Sequence, residues 1–236
     1  MNITDFEKIP VIGPNDWVDR GHDVGYYDAP PLKYEFYTTK YAEYDYSVPM
    51  SDPNQLHVEL GVFRGMSIRY MSKNWSDRHW YGFDTFEGVD EIWELGGGNI
   101  DMRNFKTELP EVPDNVTLVQ GLFHDTLYDW KDEHKGETIS YLNMDADIYS
   151  STKQGLTILN DLIIRNTIIR FDELSDWRVM NYEQGDKIKA LAPDTKYTRW
   201  REGEWKALVE WIEENDREVK PLWRNWHQSA GVLVVK

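Results

Sequence analysis

The sequence predicts a doubly wound α/β fold with a mostly parallel sheet, and three observations carry that expectation. From Leu56 onward, short apolar runs alternate with stretches of helical period, the pattern of strands buried beneath helices on both faces. Polar clusters follow the ends of these runs, where open α/β sheets bind their ligands. The length of 236 residues fits one such domain with a modest extension, since single cores stop growing only beyond roughly 250 to 300 residues.

Taken in order, residues 1–50 are rich in Tyr, Pro and Asp, as in GYYDAPPLKYEFYTTKYAEYDYSVPM, without a sustained period. They read as an irregular N-terminal arm, a lid over the site or a subunit contact in a homo-oligomer. Residues 51–236 read as the domain. LHVEL (56–60) is the first strand and runs into GVFRGMS, after which a helix is expected over 67–74. HWYGFD (79–84) and NVTLVQ (115–120) are the second and third strands, and ISYLNMD (139–145) is the fourth. STKQGLTILNDLI carries apolar residues near helical spacing, and TIIRFDEL (167–174) is the fifth strand. EWKALVEWIEEN alternates apolar and charged faces as a surface helix does. EVKPLWRNW and SAGVLVVK, separated by a short turn, predict an antiparallel hairpin at the sheet edge.

Composition narrows the function. The 42 acidic against 26 basic residues give a net charge of -16, which repels a phosphate backbone and argues against nucleic acid as substrate. No apolar run approaches the roughly 20 residues of a membrane-spanning helix. The first residues have no basic or apolar leader pattern, so a cytoplasmic location is expected. Without cysteine there is no thiolate site, and any metal must sit on oxygen or imidazole. Eleven tryptophans and fourteen tyrosines suit the apolar faces of sugars or aromatic acceptors, although such rings more often fill cores and interfaces.

The chemistry collects at strand ends. Glu59-Leu-Gly61-Val-Phe63-Arg64-Gly65-Met-Ser67 is a tight strand-to-helix turn in which two glycines allow close backbone approach to a ligand. Its G-x-x-x-G spacing departs from the G-x-G-x-x-G of dinucleotide sites. Asp84, followed by Thr85 and Phe86, puts a carboxylate where it either binds ribose hydroxyls or caps a turn. Gly121 and Phe123 offer small and aromatic groups at the next strand end, fit to hold an adenine or to form a plain loop. Asp145 and Asp147 end the fourth strand, while Asp172 and Glu173 end the fifth, so four carboxylates converge. Like charges so close cost stability unless protons or a cation neutralise them, and an all-oxygen set favours magnesium, manganese or calcium.

These motifs resemble the macrocin-type O-methyltransferases, which modify sugars and antibiotic intermediates. The resemblance runs from about Val58 to Leu174 and more weakly through GEWKALVEWIEEN. GVFRGMS, GFDTFEG, QGLFHDTL, MDADIYSSTK and FDEL follow in that family's order, and D-x-D-x-Y-S-S-T-K is its most specific part. The resemblance implies a Rossmann-like class I methyltransferase sheet with S-adenosylmethionine across the first three strand ends. It implies that Glu59, Gly61 and Gly65 shape the methionine and ribose pocket, that Asp84 binds ribose, and that Gly121 and Phe123 border adenine. Phe63, Arg64, Ser67, Thr85, Phe86 and Asp145 join that cofactor set. Asp145, Asp172 and Glu173 match metal-holding positions, with magnesium the expected ion, and Asp147 matches a general base. Glu173 stands where an aspartate is common, and Met66 where a small residue is frequent. The arm and residues 176–201 have no counterpart, so acceptor specificity is expected there.

The expected activity is methylation of a hydroxyl on a small molecule, a sugar or glycosylated metabolite. Two alternatives stand beside it: a non-catalytic cofactor-binding subunit of a sugar-modifying assembly, and an NAD-dependent oxidoreductase.

Overall fold

The computed structural model of the chain describes residues 1–16, 31–177, 197–225 and 228–236. Two strands, β2 (Leu56–Leu60) and β7 (Ile139–Met144), are buried at every position. That is the mark of central parallel strands covered on both faces. β3 (Trp80–Asp84) and β6 (Val116–Gln120) lie beyond β2, and β8 (Ile163–Phe171) lies beyond β7. All four pairings are parallel. The C-terminal hairpin of β9 (Val219–Asn225) and β10 (Ala230–Val234) extends the sheet, β10 running antiparallel to β8 and to β9. A two-residue strand, β1 (Val11–Ile12), pairs with β9 and closes that edge, so the hairpin is the penultimate layer. The order is β1-β9-β10-β8-β7-β2-β3-β6, a doubly wound, Rossmann-like arrangement.

The chain travels outward from β2 in one direction and returns to β7 to travel in the other, so the order reverses between these two strands. Ligands of open α/β sheets bind at such a reversal. On one face Leu56, Val58 and Leu60 pack with Leu127 and Trp130 of α3 (Phe123–Glu133), Leu156 of α4 (Tyr149–Ile158), and Leu208 and Trp211 of α5 (Glu204–Glu214). On the other face Trp80, Tyr141 and Ile168 pack with Tyr41 and Tyr44 of α1 (Pro31–Ser47) and with Ile68 and Met71 of α2 (Met66–Asn74). No helix of the described residues is long and apolar enough to cross a membrane.

Three features differ from the sequence expectation. The N-terminal arm is not irregular throughout, because α1 occupies residues 31–47. Its inward side carries Glu43 and Ser47 beside Tyr41 and Tyr44, so burial there does not track hydrophobicity. β8 starts at Ile163, ahead of the expected 167, and takes in the polar Arg165-Asn166 pair. That pair is a bulge: Asn166 takes φ 78° and the register against β7 shifts. α3 and a small hairpin, β4 (Ile92–Glu94) with β5 (Asn99–Asp101), were not expected. Residues 178–196, most of the stretch expected to set acceptor specificity, lie outside the described residues.

Candidate active site

The turn after β2 is fixed by its glycines. Gly61 has φ 90°, and a Cβ there would stand 1.8 Å from the carbonyl oxygen of Asp145, so the turn and the end of β7 touch through backbone alone. Gly65, at φ 72°, opens α2. Asp84 pins this turn from β3: its Oδ2 accepts the amides of Val62 at 2.8 Å and Phe63 at 2.7 Å, and its Oδ1 accepts that of Phe86 at 2.8 Å. A carboxylate has about four lone-pair sites, so Asp84 keeps one for a ligand. Glu59 lies behind the turn, fully buried, where its Oε1 accepts from the Ser67 hydroxyl and its Oε2 has no partner among the described residues. Burial pushes its carboxyl up to about 8.

Beside the turn lies the acid cluster. Asp145 follows β7, its amide donating to Leu60 O at 2.8 Å across the sheet's reversal point. Two residues on, Asp147 sits at φ 60°, a left-handed conformation that a non-glycine residue adopts at a cost of order 1 to 3 kcal/mol. Phe63, on the same cavity wall, and Phe86, behind it, share this strain at φ 49° and 55°. Asp145, Asp147 and Glu173 bring one carboxylate oxygen each within 4.8 Å of one another. Glu173 is 4% exposed; Gln228 donates to its Oε1 at 3.1 Å, and its Oε2 has no partner among the described residues. Glu204, fully buried at the start of α5, accepts the Glu173 amide at 2.9 Å.

Of the two cations that face this cluster, one comes from far along the chain and the other from β8 itself. Lys40 of α1 donates to Asp145 Oδ2 at 2.7 Å and to Asp172 Oδ2 at 3.0 Å. Arg170 of β8 donates to Asp172 Oδ1 at 2.5 Å and to Glu43 Oε2 at 2.7 Å. Glu43 Oε1 in turn accepts from Asn225 at 2.8 Å and Ser229 at 2.6 Å. Burial works against the Asp172 charge, yet Lys40 and Arg170 together hold its carboxyl below the usual range. Asp145 is pushed up to about 6 by burial and the Asp172 charge, against the pull of Lys40. Asp147 and Glu173 are raised well above the usual range by burial and their acidic neighbours.

The two groups share a cavity of about 400 Å³. Of the residues singled out from sequence, Gly61, Phe63, Arg64, Ser67, Asp84, Thr85, Phe123, Asp145, Asp147, Asp172 and Glu173 line it. Glu59, Gly65, Phe86 and Gly121 are not on its wall; they stand behind it and shape the turns. The carboxylates that converge most closely are Asp145, Asp147 and Glu173, beside the expected Asp145, Asp172 and Glu173. Both oxygens of Asp172 face a cation.

Lys40, Glu43, Arg170 and Glu204 escaped the sequence reading. The one available signal was the charge imbalance of four converging acids, which demands cations without saying where in the chain they lie. Met66 and Trp93 also line the cavity, and Trp93 meets Tyr197 edge-on at 5.7 Å. Trp80, Trp177, Trp200, Trp211 and Trp223 are core fillers. His124 is half exposed beside Asp125, away from the wall.

Residues 58–174 match the family model described as a methyltransferase domain. Among solved structures, CalS11, a calicheamicin methyltransferase, shares 18% identity over 76% of this chain and 72% of its own, with a TM-score of 0.53. Its apo structure, described as a TDP-rhamnose 3'-O-methyltransferase, gives 17% identity over 78% of this chain and 74% of its own, with a TM-score of 0.50. The O-methyltransferase NovP gives 21% over 77% and 72%, with a TM-score of 0.47. At these identities the likeness is one of fold. No curated protein matches the chain in sequence.

Proposed function

We propose that the chain, whose residues 58–174 match a methyltransferase domain, is a class I, S-adenosylmethionine-dependent and divalent-metal-assisted O-methyltransferase acting on a small-molecule hydroxyl, that of a sugar or glycosylated metabolite. The observation that carries this reading is the juxtaposition of a glycine-turn cavity with a convergent carboxylate set at the sheet's reversal point. A free lone pair on Asp84 and the aromatic wall of Phe63 and Phe123 fit a nucleoside. Three converging carboxylates with an unpartnered, buried Glu173 Oε2 fit a hard cation such as Mg²⁺.

S-adenosylmethionine supplies a methyl group already activated on a sulfonium, and a divalent ion held by Asp145, Asp147 and Glu173 would lower the pKa of the acceptor hydroxyl. The chain's own residues do the rest. Asp84 orients the cofactor by holding the turn and one ribose hydroxyl together. Asp147 has two oxygens, one within the donor set and one left to take the acceptor's proton. Trp93 offers a flat apolar face beside the acids, suited to the carbon face of a sugar ring. A sugar acceptor is also the one named for CalS11.

The test is methyl transfer from labelled S-adenosylmethionine to a panel of nucleotide sugars and glycosides, with and without EDTA. The expected result is transfer to a hydroxyl that EDTA abolishes and Mg²⁺ restores. Transfer indifferent to EDTA would remove the metal and leave the transferase. Transfer to nitrogen or carbon acceptors instead would overturn the O-methyltransferase reading.

A further inference from the structure

We propose that Lys40 is an internal cation that takes Asp172 out of the metal donor set and competes with a divalent ion for Asp145. The inference rests on the metal-binding part of the function proposed above and concerns this chain's own residues.

Each oxygen of Asp172 already faces a cation. Its Oδ1 accepts from Arg170 at 2.5 Å and its Oδ2 from Lys40 at 3.0 Å. This arrangement is held from behind: Glu43, three residues along α1 from Lys40, receives the Arg170 guanidinium at 2.9 and 2.7 Å and is itself locked by Asn225 and Ser229. Asp172 is therefore the counter-ion of two fixed cations, whereas Asp145, Asp147 and Glu173 bring ligand oxygens within 4.8 Å of one another. Glu173 is 4% exposed and its Oε2 lacks a partner among the described residues, a buried acceptor that calls for a donor or a cation.

Lys40 meets this donor set at one residue, Asp145, whose Oδ2 accepts its ammonium at 2.7 Å. The Lys40 side chain is 14% exposed, so its charge is little screened by water. A divalent ion that takes this Asp145 oxygen must displace the ammonium. The flexible four-carbon stem of lysine lets Nζ leave Asp145 while keeping Asp172. Deleting the ammonium removes both the competitor and a repelling charge.

The test is titration of Mn²⁺ alone into the purified full chain, following free Mn²⁺ by electron paramagnetic resonance. Lys40→Met should tighten binding on the order of tenfold, while Lys40→Arg, which keeps the cation, should stay near wild type. Asp172→Asn should lose far less affinity than Asp145→Asn or Glu173→Gln, and this arm decides the matter even where Lys40→Met does not fold. Binding left unchanged or weakened by Lys40→Met overturns the competition, and Asp172→Asn losing as much as Glu173→Gln overturns the donor assignment. Absence of Mn²⁺ binding in both wild type and Lys40→Met overturns the metal reading itself, and the inference with it.

Discussion

The two sides of the sheet's reversal point solve different problems. On the β2–β3–β6 side, the wall is set by backbone: two glycines at positive φ, a carboxylate holding three amides, and a Cβ-free contact between Gly61 and Asp145. On the β7–β8 side, the wall is set by charge, a cluster of acids faced by one lysine and one arginine. Shape is local in sequence, because a turn is made of consecutive residues. Charge balance is not: Lys40 lies 105 residues from Asp145, and Glu43 lies 127 from Arg170.

This contrast predicts that the first side breaks by steric change and the second by loss of charge. Gly61→Ala puts a methyl 1.8 Å from a backbone oxygen at φ 90°. It should cost more than about 4 kcal/mol of stability, a size reserved for strain of this kind; a denaturant midpoint near wild type would break the comparison. Asp147→Asn changes no shape, so thermal stability and S-adenosylhomocysteine affinity should hold while kcat falls by about 10²- to 10⁴-fold. Equal loss of cofactor affinity would deny Asp147 its role as a base.

His57 sharpens the comparison, since it places a strongly shifted group on β2 at the end away from the acids. Burial first, and then the Arg78 charge, lower it from 6.5 to about 4. The unfolded chain takes up this proton near pH 6.5 and the folded chain only near 4, so the contribution is complete above 6.5 and lost as pH falls towards 4. The loss is about 3 kcal/mol. Denaturant melts across that window should be steeper in pH for wild type than for His57→Gln, and parallel curves would contradict the assignment. The smallest effect is expected from Asp84→Asn. Exchanging one acceptor oxygen for a donor amide should loosen the turn and weaken S-adenosylhomocysteine on the order of tenfold, as calorimetry would measure.

The same contrast explains what could be read from sequence. The strands 56–60, 115–120 and 139–145, the helix at 204–215 and the acids at strand ends were legible, because apolar runs and turn residues are local signals. So was the cavity wall from Gly61 to Asp84. α1 was hidden because its buried side carries Glu43 and Ser47, which a hydrophobic period does not register. The cations around Asp172 were hidden for a related reason. Four acids demand cations, but only the fold reveals that Lys40 lies against Asp145 and Asp172 and Arg170 against Asp172.

The most direct test of the account is calorimetric titration of S-adenosylhomocysteine into the purified chain, with and without Mg²⁺. The predicted result is one molecule bound per chain in the cavity between Gly61 and Asp84, weakened in Asp84→Asn. No binding under either condition would contradict the central claim that this glycine-turn cavity holds the methyl donor.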